Sequence, residues 1–239
     1  MEQEKSDIKY KFFLDGIRLS LPICAGYIPL GFACGIVCAE AGMSVIQIFM
    51  MSLLVYAGAG QYIAGGMIAA GASPLSIIIT TFIVNSRHIL YTSVLYPYIS
   101  KWSFFKQSLF AAQITDEVFA VHSSYMNNNN NNNNTVTAFT LNIFSHSSWI
   151  ISNTIGGISA SLIPDSSKFG LDFTLYALFV ALILPRLVNA AQGVALITGG
   201  IIATIFALFN MVYIGIIAGA AAGAFAGYYT GRRLHYAKQ

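Results

Sequence analysis

The run from Leu75 to Ile99 is apolar except around Asn85-Ser86-Arg87-His88, and Arg87 falls near its middle. A helix rises about 1.5 Å per residue, so a run of this length crosses a hydrocarbon core of roughly 30 Å and carries the guanidinium to the midplane. Arginine keeps its charge inside a protein. At that depth it is costly unless a carboxylate, a carbonyl or a water-filled cavity receives it. The nearest acidic residues within apolar sequence are Asp116 and Glu117, in the next run from Phe104 to Val121. This constellation predicts a functional site between helices.

Composition sets the environment. Only 9% of the 239 residues are charged and 56% are hydrophobic, whereas about a quarter of a soluble domain is charged. The apolar runs are too long and too many to be core helices of a soluble fold. They predict an all-α, polytopic integral membrane protein with about seven to eight hydrophobic helical segments. The net charge of +3 is mild and its positive residues gather toward the two ends, which suits membrane orientation and not a nucleic-acid surface. A polar N-terminal segment, residues 1–18, precedes a transmembrane domain over residues 19–229, and residues 230–239 form a basic tail. No small-residue cleavage site follows the first segment, so no signal peptide is expected. Cys24, Cys34 and Cys38 lie in one apolar run without a CxxC pair or a companion histidine. They are expected to be buried apolar residues, with no metal site and no disulfide.

The first span, Leu19 to Ala39, contains Pro22, Gly26, Pro29, Gly31 and Gly35, and Gly31-x-x-x-Gly35 permits close helix approach. From Met43 to Ala70 the sequence is apolar but broken by Tyr56-Ala57-Gly58-Ala59-Gly60-Gln61-Tyr62, which predicts an interrupted helix or a re-entrant pair. Trp102, beside Lys101 and Lys106, is expected to anchor at an interface. Asn127 to Asn134 is an uninterrupted asparagine tract, expected to be a disordered aqueous loop without a specific role. It separates two hydrophobic halves, 19–125 and 136–229. The second half brings His146, Trp149 and Asn153, then Asp172, expected to cap a helix, and Pro185-Arg186. If every segment crosses, the 101–106 loop lies outside. If Met43 to Ala70 and Phe173 to Thr198 are re-entrant, each half crosses three times as an inverted repeat, and both termini and those lysines lie in the cytoplasm.

Several short motifs carry a resemblance. They are Pro29-Leu30-Gly31-Phe32 with Gly35, Tyr56-Ala57-Gly58-Ala59 with Gln61, Asn85-x-Arg87-His88-x-Leu90-Tyr91, Thr115-Asp116-Glu117-x-Phe119, Trp149, and Gly170-Leu171-Asp172-Phe173. In this order, over roughly residues 16 to 229, the chain resembles the AzlC family, the large subunit of bacterial branched-chain amino acid exporters. The resemblance implies export of leucine, isoleucine and valine, with methionine as a further substrate, across the bacterial cytoplasmic membrane. It also implies a small, separate membrane subunit of the AzlD type.

Residue chemistry is compatible with that implication. An amino acid zwitterion needs a donor for its carboxylate, an acceptor for its ammonium and an apolar pocket. Arg87 with Asn85 supplies donors, Asp116 or Glu117 an acceptor, and the broken segment with Tyr56, Gly58 and Gln61 supplies free backbone groups and apolar surface. His88, Asp116 and Glu117 are the candidates for proton coupling. The bland alternative is that Arg87 and Asp116 only tie two helices together. His122 and His146 are expected to be structural. Gly215, Gly219, Gly223, Gly227 and Gly231 recur every four residues and predict a packing ladder against the bundle or a small subunit. A channel or exporter for another small metabolite and an intramembrane enzyme are rivals. Against the enzyme there is no nucleophile with a paired base, no HExxH and no cofactor loop, so no cofactor is expected.

Overall fold

A computed structural model describes residues 2–128, 134–162 and 187–236 except 210, with 173, 177, 180, 183 and 184 between them. The fold is all-α, and no strand occurs among the described residues. In order these are α1 (Glu2–Glu40), α2 (Val45–Leu54), α3 (Gly58–Ala69), α4 (Pro74–Asn85), α5 (Arg87–Ile99), α6 (Phe104–Ala111), α7 (Asp116–Asn128) and α8 (Thr135–Ser159) with a 3₁₀ turn (Ala160–Leu162). Then come α9 (Ala190–Leu208) and α10 (Val212–Tyr236). Among the described residues, three helical stretches are long and apolar enough to cross a membrane: Lys9–Glu40, Ala190–Leu208 and Ile214–Arg233.

The chain forms two compact units, Met1–Leu178 and Phe179–Gln239. In the first, α1 and α8 make the most extensive packing. Small residues on both helices bring the backbones together. A Cβ on Gly31 would strike Ser152 Oγ, one on Gly35 the carbonyl oxygen of Asn153, and one on Gly156 the carbonyl oxygen of Phe32. Apolar residues gain little from meeting each other in lipid, so contact of this closeness is the main source of attraction there. α8 is less apolar than those three because the face it turns to the bundle is polar, burying Thr137, Thr140, Asn142, Ser145, Ser152 and Asn153. In the second unit, α9 and α10 pack along the glycine ladder. A Cβ on Gly219 would stand 2.6 Å from Gly199 O, one on Gly223 2.6 Å from Ala195 O, one on Gly215 2.7 Å from Phe206 Cβ, and one on Gly227 2.8 Å from Ala195 Cβ.

Three expectations are corrected, two of them by helix breaks. The run from Leu75 to Ile99 is not one helix: it is interrupted at Ser86, whose N–H reaches Phe82 O while Ile89 N–H reaches back only three residues, to Ser86 O. Arg87 therefore starts α5 and does not sit in mid-helix. Likewise the run from Phe104 to Val121 breaks at residues 112–115, and Asp116 and Glu117 occupy the first turn of α7. The asparagine tract is not wholly a loop, because α7 runs into it and Asn134 caps α8, its Oδ1 accepting from Val136 N at 2.7 Å. The expected break in the Met43 to Ala70 run falls at residues 55–57, between α2 and α3. Asp172 lies outside the described residues, and so does much of the Phe173 to Thr198 segment.

Candidate functional site

Two of the breaks bring the charged residues together. Arg87 Nη2, at the start of α5, lies 2.8 Å from Asp116 Oδ2, at the start of α7. Tyr91, one turn along α5, donates its hydroxyl to the other oxygen of Asp116. A carboxylate at a helix N-terminus also meets the positive end of the macrodipole, so Asp116 is held by three favourable contacts. The Asp116 side chain is 9% exposed and that of Arg87 24%, yet Arg87 Nε is buried without an acceptor. A guanidinium with a spare buried donor can still take a second partner.

Thr115 caps α7, its Oγ1 accepting from Val118 N at 3.3 Å. The same hydroxyl shares a 2.5 Å hydrogen bond with Tyr27 of α1, and Tyr27 donates to Glu117 Oε2 at 2.9 Å. Adjacent residues on a helix point about 100° apart, which is why Asp116 faces α5 while Glu117 faces α1. No lysine, arginine or histidine among the described residues forms an ion pair with Glu117.

Tyr56 sits in the α2–α3 break with φ of +37°, a left-handed conformation uncommon for a residue with a side chain. Its ring stacks on His146 at 4.0 Å and stands edge-on to Tyr27 at 6.3 Å, while His146 Nε2 lies 3.0 Å from Ser52 O. The Tyr56 hydroxyl is buried beside those of Tyr27 and Thr115. Beside the ring, a cavity of about 290 Å³ reaches from the α2–α3 break to the α6–α7 break, lined by Leu53, Leu54, Leu109, Phe139 and Ile143 among others. Small-molecule pockets begin at roughly this size.

The other candidate residues are placed differently. Gly58 lies under Trp149, where a Cβ would stand 3.0 Å from the indole. Gln61 is 1% exposed and ties three helices, with Nε2 donating to Ser52 Oγ at 3.0 Å and Oε1 accepting from Trp149 Nε1 at 2.6 Å. Asn85 rests against Gly60, whose hydrogen leaves room for the amide, and Asn85 Oδ1 is buried without a partner. His88 stacks on Tyr91 at 5.8 Å. His122 bonds Asn142 Oδ1 at 2.7 Å inside the bundle, and Trp102 packs on Phe110 and Phe139. The ladder glycines lie away from this cluster in sequence and face α9.

The sequence profile of the AzlC protein family matches residues 22–163, more than half of the chain and all of the charged cluster. This chain belongs to the AzlC family. It is 34% identical to an uncharacterized membrane protein of Archaeoglobus fulgidus over 221 residues, covering 89% of this chain and 92% of that protein. To the inner membrane protein YgaZ of Escherichia coli K12 it is 30% identical over 226 residues, 92% of each chain. To the branched-chain amino acid transport protein AzlC of Bacillus subtilis 168 it is 27% identical over 188 residues, 78% of this chain and 72% of that one. No solved structure matches. The AzlC-family chain is thus an integral membrane protein with an all-α fold. Tyr91 and Thr115 stand in the family motifs without a role of their own, and Tyr27 stands in none, since the chemistry of an aromatic or threonine in an apolar run is not legible until a partner helix supplies the carboxylate.

Proposed function

We propose that this AzlC-family protein is a secondary transporter that exports branched-chain amino acids across the bacterial cytoplasmic membrane. The observation that carries the proposal is the Arg87–Asp116 pair with an unpaired Glu117 beside it, gathered at helix breaks within an apolar protein. Interrupted membrane helices place backbone and charged groups where a polar solute can reach them, and binding sites of transporters are commonly built this way. The spare Arg87 Nε faces a substrate carboxylate, the acidic residues face its ammonium, and the 290 Å³ apolar cavity takes a branched side chain. The Bacillus subtilis relative, named for branched-chain amino acid transport, supports the substrate class. Glu117 carries the coupling proton, because Asp116 is already held by Arg87. A small AzlD-type membrane subunit completes the transporter.

Leucine efflux from vesicles under an imposed pH gradient tests this reading. The native chain, with its small subunit, should export leucine faster when protons can return, and Glu117→Gln should lose that response. Arg87→Lys should lower efflux at least about tenfold, since a point charge cannot replace the planar fork. Native efflux that ignores the gradient would remove proton coupling, and a lysine variant with native efflux would leave Arg87 as a helix tie. Product formation without translocation would favour an intramembrane enzyme instead.

A further inference from the structure

The hydroxyls of Tyr56, Thr115 and Tyr27 and the carboxyl of Glu117 form one connected cluster where the α2–α3 break, α1 and the start of α7 meet. A count of hydrogens fixes its direction. Each hydroxyl has one hydrogen to donate and lone pairs to accept with. Tyr27 donates to Glu117 Oε2 at 2.9 Å, so in its 2.5 Å bond with Thr115 it accepts and Thr115 donates. Thr115 Oγ1 also accepts from Val118 N at 3.3 Å, which leaves it one lone pair, and the Tyr56 hydroxyl lies beside it. With Glu117 ionised, every hydrogen in this row points toward the carboxylate. A protonated Glu117 donates back to Tyr27 and turns the row round, since each oxygen that gains a donor must pass its own hydrogen to the next. Tyr56 belongs to two surroundings. Its hydroxyl ends the row, and the residue also lines the cavity of about 290 Å³ together with Gln113 and His146.

We propose that this row of hydroxyls, entered at Tyr56, delivers the coupling proton to Glu117 from water admitted to the cavity. The inference rests on the transport reading and deepens it, adding Tyr56, Thr115 and Tyr27 as the groups that carry the proton. A hydronium ion in the cavity gives a proton to the Tyr56 oxygen and is left as water. The Tyr56 O–H bond breaks as one forms on Thr115, that of Thr115 as one forms on Tyr27, and that of Tyr27 as the carboxyl O–H forms. One proton is taken up and no electron moves. Rotation of the hydroxyls about their C–O bonds then resets the row. Tyr56 is buried, so the entrance is shut in this structure, as coupling requires, because a row held open would leak protons. The branched side chain takes the same cavity, so water and substrate occupy it in turn and the proton passes only after the side chain has left. The groups facing the carboxylate are Tyr27 of α1, Tyr56 of the break, and Thr115 and Asp116 of its own helix end, with His146 of α8 behind the Tyr56 ring.

The test uses the full chain in vesicles with its small subunit and compares two rates. One is leucine efflux driven by a pH gradient, and the other is leucine-for-leucine exchange at equal pH, which needs no net proton. The ratio of the first to the second should fall about a hundredfold in Tyr56→Phe and in Thr115→Val, the lower end of what a positioned proton-transfer group contributes. Thr115→Ser restores a hydroxyl and should keep the native ratio. An unchanged ratio in Tyr56→Phe or in Thr115→Val, whether both rates are native or both are lost, would overturn the inference while leaving coupled transport by the native chain intact. So would a fall confined to Tyr27→Phe, which would make Tyr27 only a prop for the carboxylate, and so would a serine variant that fails like the valine. If the native chain moves no leucine or ignores the gradient, the coupled-transport reading fails by itself, and infrared spectra of the purified protein after a rapid drop in pH decide. A carboxyl C=O band that Glu117→Gln removes, and that rises more slowly in Tyr56→Phe than in the native chain, keeps the hydroxyl row and discards coupled transport. Equal rates, or no such band, discard the row.

Discussion

The α1–α8 crossing and the α9–α10 hairpin use the same device for opposite purposes. In both, residues with little or no side chain let helices approach until a Cβ would collide with the facing backbone. Between α1 and α8, however, the close approach encloses polar groups. Ser152 donates to Tyr27 O at 3.1 Å, and Asn153 is wholly buried with its amide beside Cys34. Between α9 and α10 the ladder glycines meet glycine, alanine and Phe206, and α9 buries no residue. Close packing is therefore enough to hold membrane helices together, and buried polarity in the first unit must be explained by something other than adhesion.

Breaking the polar side should have the largest effect. Asp116→Ala leaves the Arg87 guanidinium, 24% exposed, with no carboxylate, and losing one partner of a pair buried in this way costs about 3 kcal/mol or more. The expected outcome is little monodisperse protein on size exclusion, with recovery when Arg87→Met is added. If the single variant behaves as native, the pair does not hold the first unit together.

The two glycine seams come next. Gly35→Leu forces a side chain into Asn153 O, where backbone cannot yield, and should cost more than the roughly 1–3 kcal/mol of ordinary overpacking. Gly223→Leu meets Ala195 O at 2.6 Å and should part α9 from α10 while sparing the first unit. Limited proteolysis of the two variants reads this out. General cleavage is expected for Gly35→Leu, and cleavage confined to residues 190–236 for Gly223→Leu. Cleavage throughout the chain in both would mean that the hairpin supports the first unit as well.

The smallest effect lies at the tract. Asn134→Ala removes the α8 cap and should lower stability by about 1 kcal/mol. Thermal melting in detergent that shows no change would return Asn134 to an inert linker.

Much of the candidate site could be read in the residues. Arg87 and Asp116 stand out because a buried charge demands its opposite, and the Gly-rich break near Tyr56 is visible because glycine and a mid-run glutamine interrupt hydropathy. The break at Ser86 is not, since it contains neither glycine nor proline and only the hydrogen-bond pattern reveals it. Gln61 reads as a substrate group because it is polar in an apolar run, and the fold engages both ends of its amide with Ser52 and Trp149.

Residue chemistry alone decides the membrane class, the helical fold and the need for charge compensation, because hydropathy, length and Coulomb cost are properties of a linear string. Which carboxylate pairs with Arg87 and which tyrosine meets the other depend on contacts between residues as far apart as 25 and 90 positions. Those are settled by the directions in which helix breaks aim neighbouring side chains, and no pattern along the chain encodes such directions.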